Sequence, residues 1–180
     1  MKLKTLAISV AVLLGGVAAL PASAQAVGTG KVNFNGLLVA DSCQVTTETR
    51  DQTVNLDTMS VQSLNEAGKT AGSTPFNIEV TNCPDTFDEV AVHFEMTNMD
   101  AATRTLKNTA TTGAATNVTV QLVNADRTPI DAGSTGEFFP ITGEGAARGA
   151  VMTYGGQYYA LGVTTPGVVQ SFAEFTLAYP

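Results

Sequence analysis

Few residues in this chain could do chemistry. Its 180 residues include one histidine, His93, two cysteines, Cys43 and Cys83, and no tryptophan. A Ser-His-Asp or Cys-His site would have to be built on His93 alone, because an activated nucleophile needs a base within hydrogen-bond reach. His93 alternates with Val90, Val92, Phe94 and Met96, which puts it on the outward face of a strand as a solvated surface residue. Of the sixteen acidic residues, only Pro84-Asp85-Thr86-Phe87-Asp88-Glu89 forms a cluster; it misses the D-x-[DN]-x-[DN]-G calcium pattern and reads as a solvated turn. The glycine-rich stretch Gly143 to Gly149 lacks both G-x-G-x-x-G and a G-K-[ST] ending, and no strand-to-helix unit surrounds it. Asn117-Val118-Thr119 fits the glycosylation triplet, but the same residues open the alternating run Val118, Val120, Leu122, and a strand is the better reading. This inventory points away from an enzyme, and no cofactor or metal is expected.

The compartment follows from the first residues. Lys2 and Lys4 precede an apolar run from Leu6 to Leu20, and Pro21-Ala22-Ser23-Ala24 supplies a small-residue cleavage site, so residues 1–24 read as a signal peptide. The uninterrupted apolar run is shorter than the roughly 20 residues of a spanning helix. Cleavage leaves 156 residues, enough for one domain with a working core, with seven Lys and Arg against sixteen acidic residues, a net charge of −9. Phosphate backbones need basic surface, so no nucleic-acid partner is expected. Export places Cys43 and Cys83 where a cysteine pair is normally a disulfide, two free buried thiols being the alternative. A loop of about 40 residues closed this way is worth roughly 4 kcal/mol in the chain-entropy model.

The elements that would position these residues are strands. Gln25 to Thr29 is small and polar. From Gly30 the chain reads G-K-V-N-F-N-G-L-L, with Val32, Phe34, Gly36 and Leu38 alternating against Lys31, Asn33, Asn35 and Leu37; one face of an extended segment is apolar, and nothing local covers it. This arm, 25–38, runs into a strand pinned by Cys43. Val54 and Leu56 suggest a short strand Gln52–Leu56, and Met59–Glu66 one or two helical turns ended by Gly68 and Gly72. Phe76, Ile78 and Val80 alternate up to Cys83-Pro84, where proline ends the ladder. Thr97 to Thr116 reads as a long loop or weak edge strand, and Asp126 to Gly136 as a turn region around Pro129-Ile130. Phe138, Phe139 and Ile141 follow, then strands Val151–Leu161 and Ser171–Tyr179 joined by Thr164-Thr165-Pro166-Gly167. In the last of these, Ala173, Phe175, Leu177 and Tyr179 share a face. Seven or so short alternating strands with turn signals between them predict an antiparallel β-sandwich of immunoglobulin type. The cysteines fall at an early strand and the next but one, unlike the bridge of antibody domains.

Taken together, several of these features resemble the chaperone-usher pilins, with the type 1 major fimbrial subunits the nearest pattern. They are the leader, the arm with Gly36 seven residues before Cys43, the Cys43 to Cys83 spacing, Gln52-Thr53-Val54-Asn55-Leu56, the F-N-I run at Phe76, the Thr116 region, Gly167 fourteenth from the end and a penultimate Tyr179. The resemblance covers essentially the whole mature chain. It implies an all-β, incomplete immunoglobulin-like sandwich over 39–180, with a groove beside the last strand edged by Gly167, Phe175, Leu177 and Tyr179. It also implies a donor strand of Val32, Phe34, Gly36 and Leu38 that fills the groove of another copy. A periplasmic chaperone would hold the groove and the Pro180 carboxylate first, and an outer-membrane usher would oversee exchange into a head-to-tail fibre at the cell surface, alongside other fimbrial subunits. The chain ends Tyr179-Pro180, where the family pattern has a polar last residue. The rival readings are a minor, adaptor or terminator subunit, a self-contained secreted carbohydrate-binding sandwich and, third, an enzyme.

Overall fold

The structure is a computed structural model that describes residues 30–39 and 41–180; the signal peptide expected over 1–24 and the start of the arm lie outside them. It divides into two units, 1–38 and 39–180. In the first, the described residues from Gly30 form no helix or ladder, and Val32, Phe34, Leu37 and Leu38 are exposed.

The second unit is a two-layer β-structure. Its strands are β1 (Gln44–Val45), β2 (Thr70–Thr81), β3 (Glu89–Phe94), β4 (Leu106–Lys107), β5 (Val118–Asn124), β6 (Pro129–Ile130), β7 (Phe139–Pro140), β8 (Ala150–Ala160) and β9 (Phe175–Ala178). One sheet runs β1-β2-β8-β5-β4, with β6 also paired to β5; the other runs β7-β3-β9. Every named pairing is antiparallel. Alternation explains the packing: Ile78 and Val80 of β2, Val90, Val92 and Phe94 of β3, and Met152 and Tyr154 of β8 turn inward and are fully buried. Among the described residues no helix is long and apolar enough to cross a membrane.

Several expectations are corrected in detail. Gln52–Leu56 makes no ladder, although Val54 and Leu56 are half-buried and Thr53, Asn55 and Asp57 exposed, as in a strand. A strand needs a neighbour to bond to, and this segment has none among the described residues. The helical turns expected over Met59–Glu66 shrink to a 3-10 turn, Val61–Leu64. Gly68 follows that turn at φ +84°, but Gly72, at φ +66°, lies inside β2. There the register against β8 slips between Ala71 and Thr74, a bulge that glycine's access to positive φ permits. On β3 the inward set stops at Phe94, since Met96 is exposed, while Ala91 of the opposite set is buried as well.

Cys43 and Cys83 form a disulfide. Cys43 directly precedes β1 and Cys83 follows β2, so the bridge joins two neighbouring strands of one sheet rather than alternate ones. The reason is the missing ladder at 52–56, which removes the strand expected between them.

Tyr154 ties the layers together. From β8 its hydroxyl accepts a hydrogen bond from Val92 N at 3.1 Å and donates one to Glu137 O at 2.9 Å, while its ring packs edge-on against Phe94 and Phe139. Burial pushes its pKa up from 10.0 to about 12. The protonated form is thus favoured by folding; stability from this group is complete below pH 10 and falls as pH rises from about 10 to about 12, by about 3 kcal/mol at most. Chemical denaturation across that window should show the loss, and Tyr154→Phe should flatten much of it. The same variant should cost about 1–3 kcal/mol at neutral pH by leaving the Val92 N–H buried without a partner.

Candidate groove beside the last strand

The backbone partners of the last strand define the candidate site. β9 pairs with β3 in the register Ala91 to Ala178, Val92 to Leu177, His93 to Thr176 and Phe94 to Phe175. Glu95 N donates to Glu174 O at 2.8 Å, whereas Phe94 N donates to Ser134 O and Val92 O accepts from Gly136 N on the far side of β3. Antiparallel bonding alternates along a strand, so Glu174, Thr176 and Ala178 use their backbone groups on β3. The N–H and C=O groups of Phe175 and Leu177 therefore face the other way, where no described strand pairs with them.

The side chains tell the same story. Ala173, Phe175, Leu177 and Tyr179 all pack against the main core, yet each is only half-buried, while Val90, Val92 and Phe94 on the neighbouring strand are 0–1% exposed. An inward-facing row that stays half-open marks a layer one strand short. The segment from Cys43 to Met59 is tied to the larger sheet. Its Gln52 Nε2 donates to Asn77 O on β2, Leu56 lies over Gly156 of β8, and Met59 lies against Gly72 and Tyr158. No named ladder joins this segment to β9.

Both ends of the opening are closed by specific contacts. At one end the Tyr179 hydroxyl accepts from Cys43 N at 2.8 Å, and its ring stacks on Phe87 with centroids 4.1 Å apart. Burial raises the Tyr179 pKa, partly opposed by the Cys43 N–H bond. Phe87 is held in turn by Arg148, whose Nη2 donates to Phe87 O at 2.6 Å. The acidic cluster is the outer part of this arrangement: Asp85 and Asp88 lie 3.4 and 3.7 Å from the Arg148 guanidinium, and both are almost fully exposed. Exposed ion pairs contribute little, and Arg148 Nε lacks hydrogen-bond geometry to any partner; the bond to the Phe87 carbonyl is the positioning contact.

At the other end lies a cavity of about 440 Å³ lined by Met59, Val61, Leu64, Tyr158, Gly167 and Val169 among others. The chain entering β9 is anchored beside it. Asn98, a buried polar residue, donates to Ser171 Oγ and Phe172 O, Thr109 N donates to Gln170 O, and Ala115 N to Val168 O. Gly167 is required there because a Cβ would collide with the Gly113, Ala114 and Ala115 backbone.

Of the residues singled out in the sequence, Phe175, Leu177, Tyr179 and Gly167 come together around this opening, with Cys43 at its rim and Cys83 behind it. Pro180 is exposed beyond Tyr179. Val32, Phe34, Gly36 and Leu38 belong to the separate arm unit. Phe87, Arg148, Asn98 and Val169 were not anticipated. The first three act through contacts between residues 60 or more positions apart, with no local pattern to reveal them. His93 is half-buried, its Nδ1 bonded to Thr135 Oγ1 at 3.0 Å. No group of three or more His, Cys, Asp or Glu able to hold a metal occurs among the described residues.

An immunoglobulin-like sandwich with one strand position unfilled is the architecture of a pilin. The model of the family described as "Fimbrial protein" matches residues 32–180, and the chain belongs to that family. It is 39% identical over 183 residues to the F17 fimbrial protein of Escherichia coli, covering 93% of this chain and 96% of the relative. It is 36% identical over 186 residues to the type-1 fimbrial protein, A chain, of Escherichia coli (strain K12), covering 99% of this chain and 100% of the relative. The crystal structure of the P pilus rod subunit PapA superposes with a TM-score of 0.59 at 20% identity, over 78% of this chain and all of that one, a likeness of fold. The protein is a structural subunit of a pilus, and such subunits assemble with one another into surface fibres.

The close packing at Gly167 gives a direct test. Gly167→Ala should destabilise the domain by about 1–3 kcal/mol, the usual cost of forcing extra atoms into a packed site. Faster hydrogen exchange at Val168–Phe172 than at β2 or β5 would locate that loss at the entry to β9.

Proposed function

We propose that this chain builds the shaft of a chaperone-usher fimbria by donor-strand exchange: residues 25–38 of one copy form the strand that another copy lacks. The observation that carries this reading is the one-sided pairing of β9 over a half-open core. An unpaired edge beside exposed apolar side chains is a template for uncontrolled association unless a strand caps it. The arm has what such a strand needs. Val32, Phe34 and Leu38 alternate on one face, so an inserted arm completes the ladder and the core together. Chaperone-pilin complementation is itself the standing example of such strand addition. At about 1.5–3 kcal/mol for each large apolar side chain, the three contribute about 5–9 kcal/mol before the cost of ordering the arm.

Arm and groove are different surfaces of each copy. Their contact is head-to-tail and does not close on itself, so it propagates a filament rather than a dimer. Before assembly the groove needs a temporary strand. A periplasmic chaperone supplies one and holds the Pro180 carboxylate, and the outer-membrane usher replaces it with the arm of the next subunit. Other subunits of the same fimbria meet the ends of the filament by the same contact.

Gly36 sits in the alternating set where a shallow part of the groove admits no side chain. Gly36→Arg should leave the domain able to bind its chaperone but abolish the SDS-resistant ladder of polymer bands; fibres of normal length from this variant would refute the reading. Fusing residues 29–38 after Pro180 through a flexible linker should instead give a stable monomer, with size-exclusion chromatography as the check.

A further inference from the structure

The arm contains the chain's one Asn-Gly dipeptide, Asn35-Gly36. Such a pair can modify itself. The Gly36 amide nitrogen, on losing its proton, attacks Asn35 Cγ and expels ammonia, closing a five-membered succinimide. Water then opens either carbonyl, giving aspartate or isoaspartate. One water is consumed, one ammonia leaves, and no oxidant or reductant takes part. The reaction is fastest where the following residue has no side chain and the backbone is free to leave the extended conformation.

Those conditions are met at this position. Asn35 and Gly36 are exposed and lie in no ladder or helix, and a Cβ placed on Gly36 would meet nothing within 4 Å. Four asparagines of the folded unit differ. Asn98 donates to Lys107 O, Ser171 Oγ and Phe172 O, Asn108 to Ala115 O and Val168 O, and Asn117 to Val163 O, while Asn124 Oδ1 accepts from Glu137 N. None of these four is followed by glycine.

We propose that Asn35-Gly36 is a self-modification site that retires subunits whose arms stay unpaired, and that strand insertion protects it. The consequence for assembly rests on the donor-strand reading given above. A seated arm is held near ψ +135° with β9 along one side, and in that extended geometry the Gly36 nitrogen cannot reach Cγ. The two products differ in effect. Aspartate places one charge on the outward set, beside Asn33 and Lys31. Isoaspartate inserts a methylene into the main chain, so Val32 and Phe34 fall out of step with Leu38, and strand pairing does not tolerate such a slip when one face must be buried.

The test compares processed chain purified before assembly in complex with its periplasmic chaperone, the arm left free, with intact fibres, both incubated at neutral and mildly alkaline pH. After reduction, the tryptic peptide Val32–Arg50 is assayed for the amide-to-acid mass gain and for labelling by an isoaspartyl methyltransferase. The expected result is several-fold more isoaspartate in the free chain than in fibres, rising with pH, with a parallel loss of ability to form SDS-resistant ladders. Asn35→Gln should stay unmodified, and its ladder formation should not decline between the start and the end of the incubation. A free chain that gains no more isoaspartate at residue 35 than at Asn98 or Asn108 overturns the site. Equal modification in fibres overturns the protection, and full assembly competence in modified chain overturns the retirement of subunits. Failure of the donor-strand reading is seen separately, as fresh chain that forms no ladder at all, and the isoaspartate measurement still decides the site.

Discussion

A strand inside a sheet must bond on both sides, and β9 bonds on one. That requirement of the peptide backbone organises the rest of this protein. Phe175 and Leu177 present their N–H and C=O groups to a side where the described chain offers no strand, and their side chains lie half-open to solvent. The remainder of the domain keeps this edge straight and accessible without letting it collapse. Cys43, fixed by its bridge to Cys83, gives Tyr179 a backbone N–H to bond. Phe87, held at its carbonyl by Arg148, stacks on the same ring. The long polar loop before β5 spends Asn98, Asn108 and Thr109 on the main chain and side chains that lead into β9.

The two layers are finished to different degrees. The larger sheet pairs β2, β8 and β5 over most of their lengths, and its inward residues Ile78, Met152 and Tyr154 are closed to solvent. The smaller sheet has three strands, and only β3 has neighbours on both sides. Tyr154 bonds across from the complete layer to the incomplete one, holding β3 at its proper distance. The domain is thus rigid where it must be a scaffold and open along one line. This fits a subunit whose last structural element comes from another molecule.

The charged groups follow the same division. They serve local geometry: Asp100 caps the turn at Ala102 and Thr103, whose bonds lower its pKa, and Asp126 does the same at Thr128. His93 bonds a threonine, and the acidic cluster frames Arg148. A fibre subunit needs surfaces that add up along one axis, and a heterologous contact repeated without closure supplies them.

By itself the amino-acid sequence determined the period-2 faces and therefore most of the strands. Ile78 with Val80, Val90 with Val92, Val118 with Val120, and Phe175 with Leu177 could face a core only together, because side chains alternate across an extended backbone. It also held the cysteine pair, and the Fimbrial family pattern that made the fold class legible. Tertiary structure alone decided which of those strands bond to one another. It left Gln52–Leu56 with the alternation of a strand but no ladder, moved Gly72 into a bulge, and recruited Phe87, Arg148 and Asn98 to frame the opening. Those roles depend on residues 60 or more apart in the chain meeting in space, and no local periodicity encodes a partner at that distance. Pairing is a property of two segments at once, so a segment's own pattern can show that it wants a neighbour without showing whether the fold provides one.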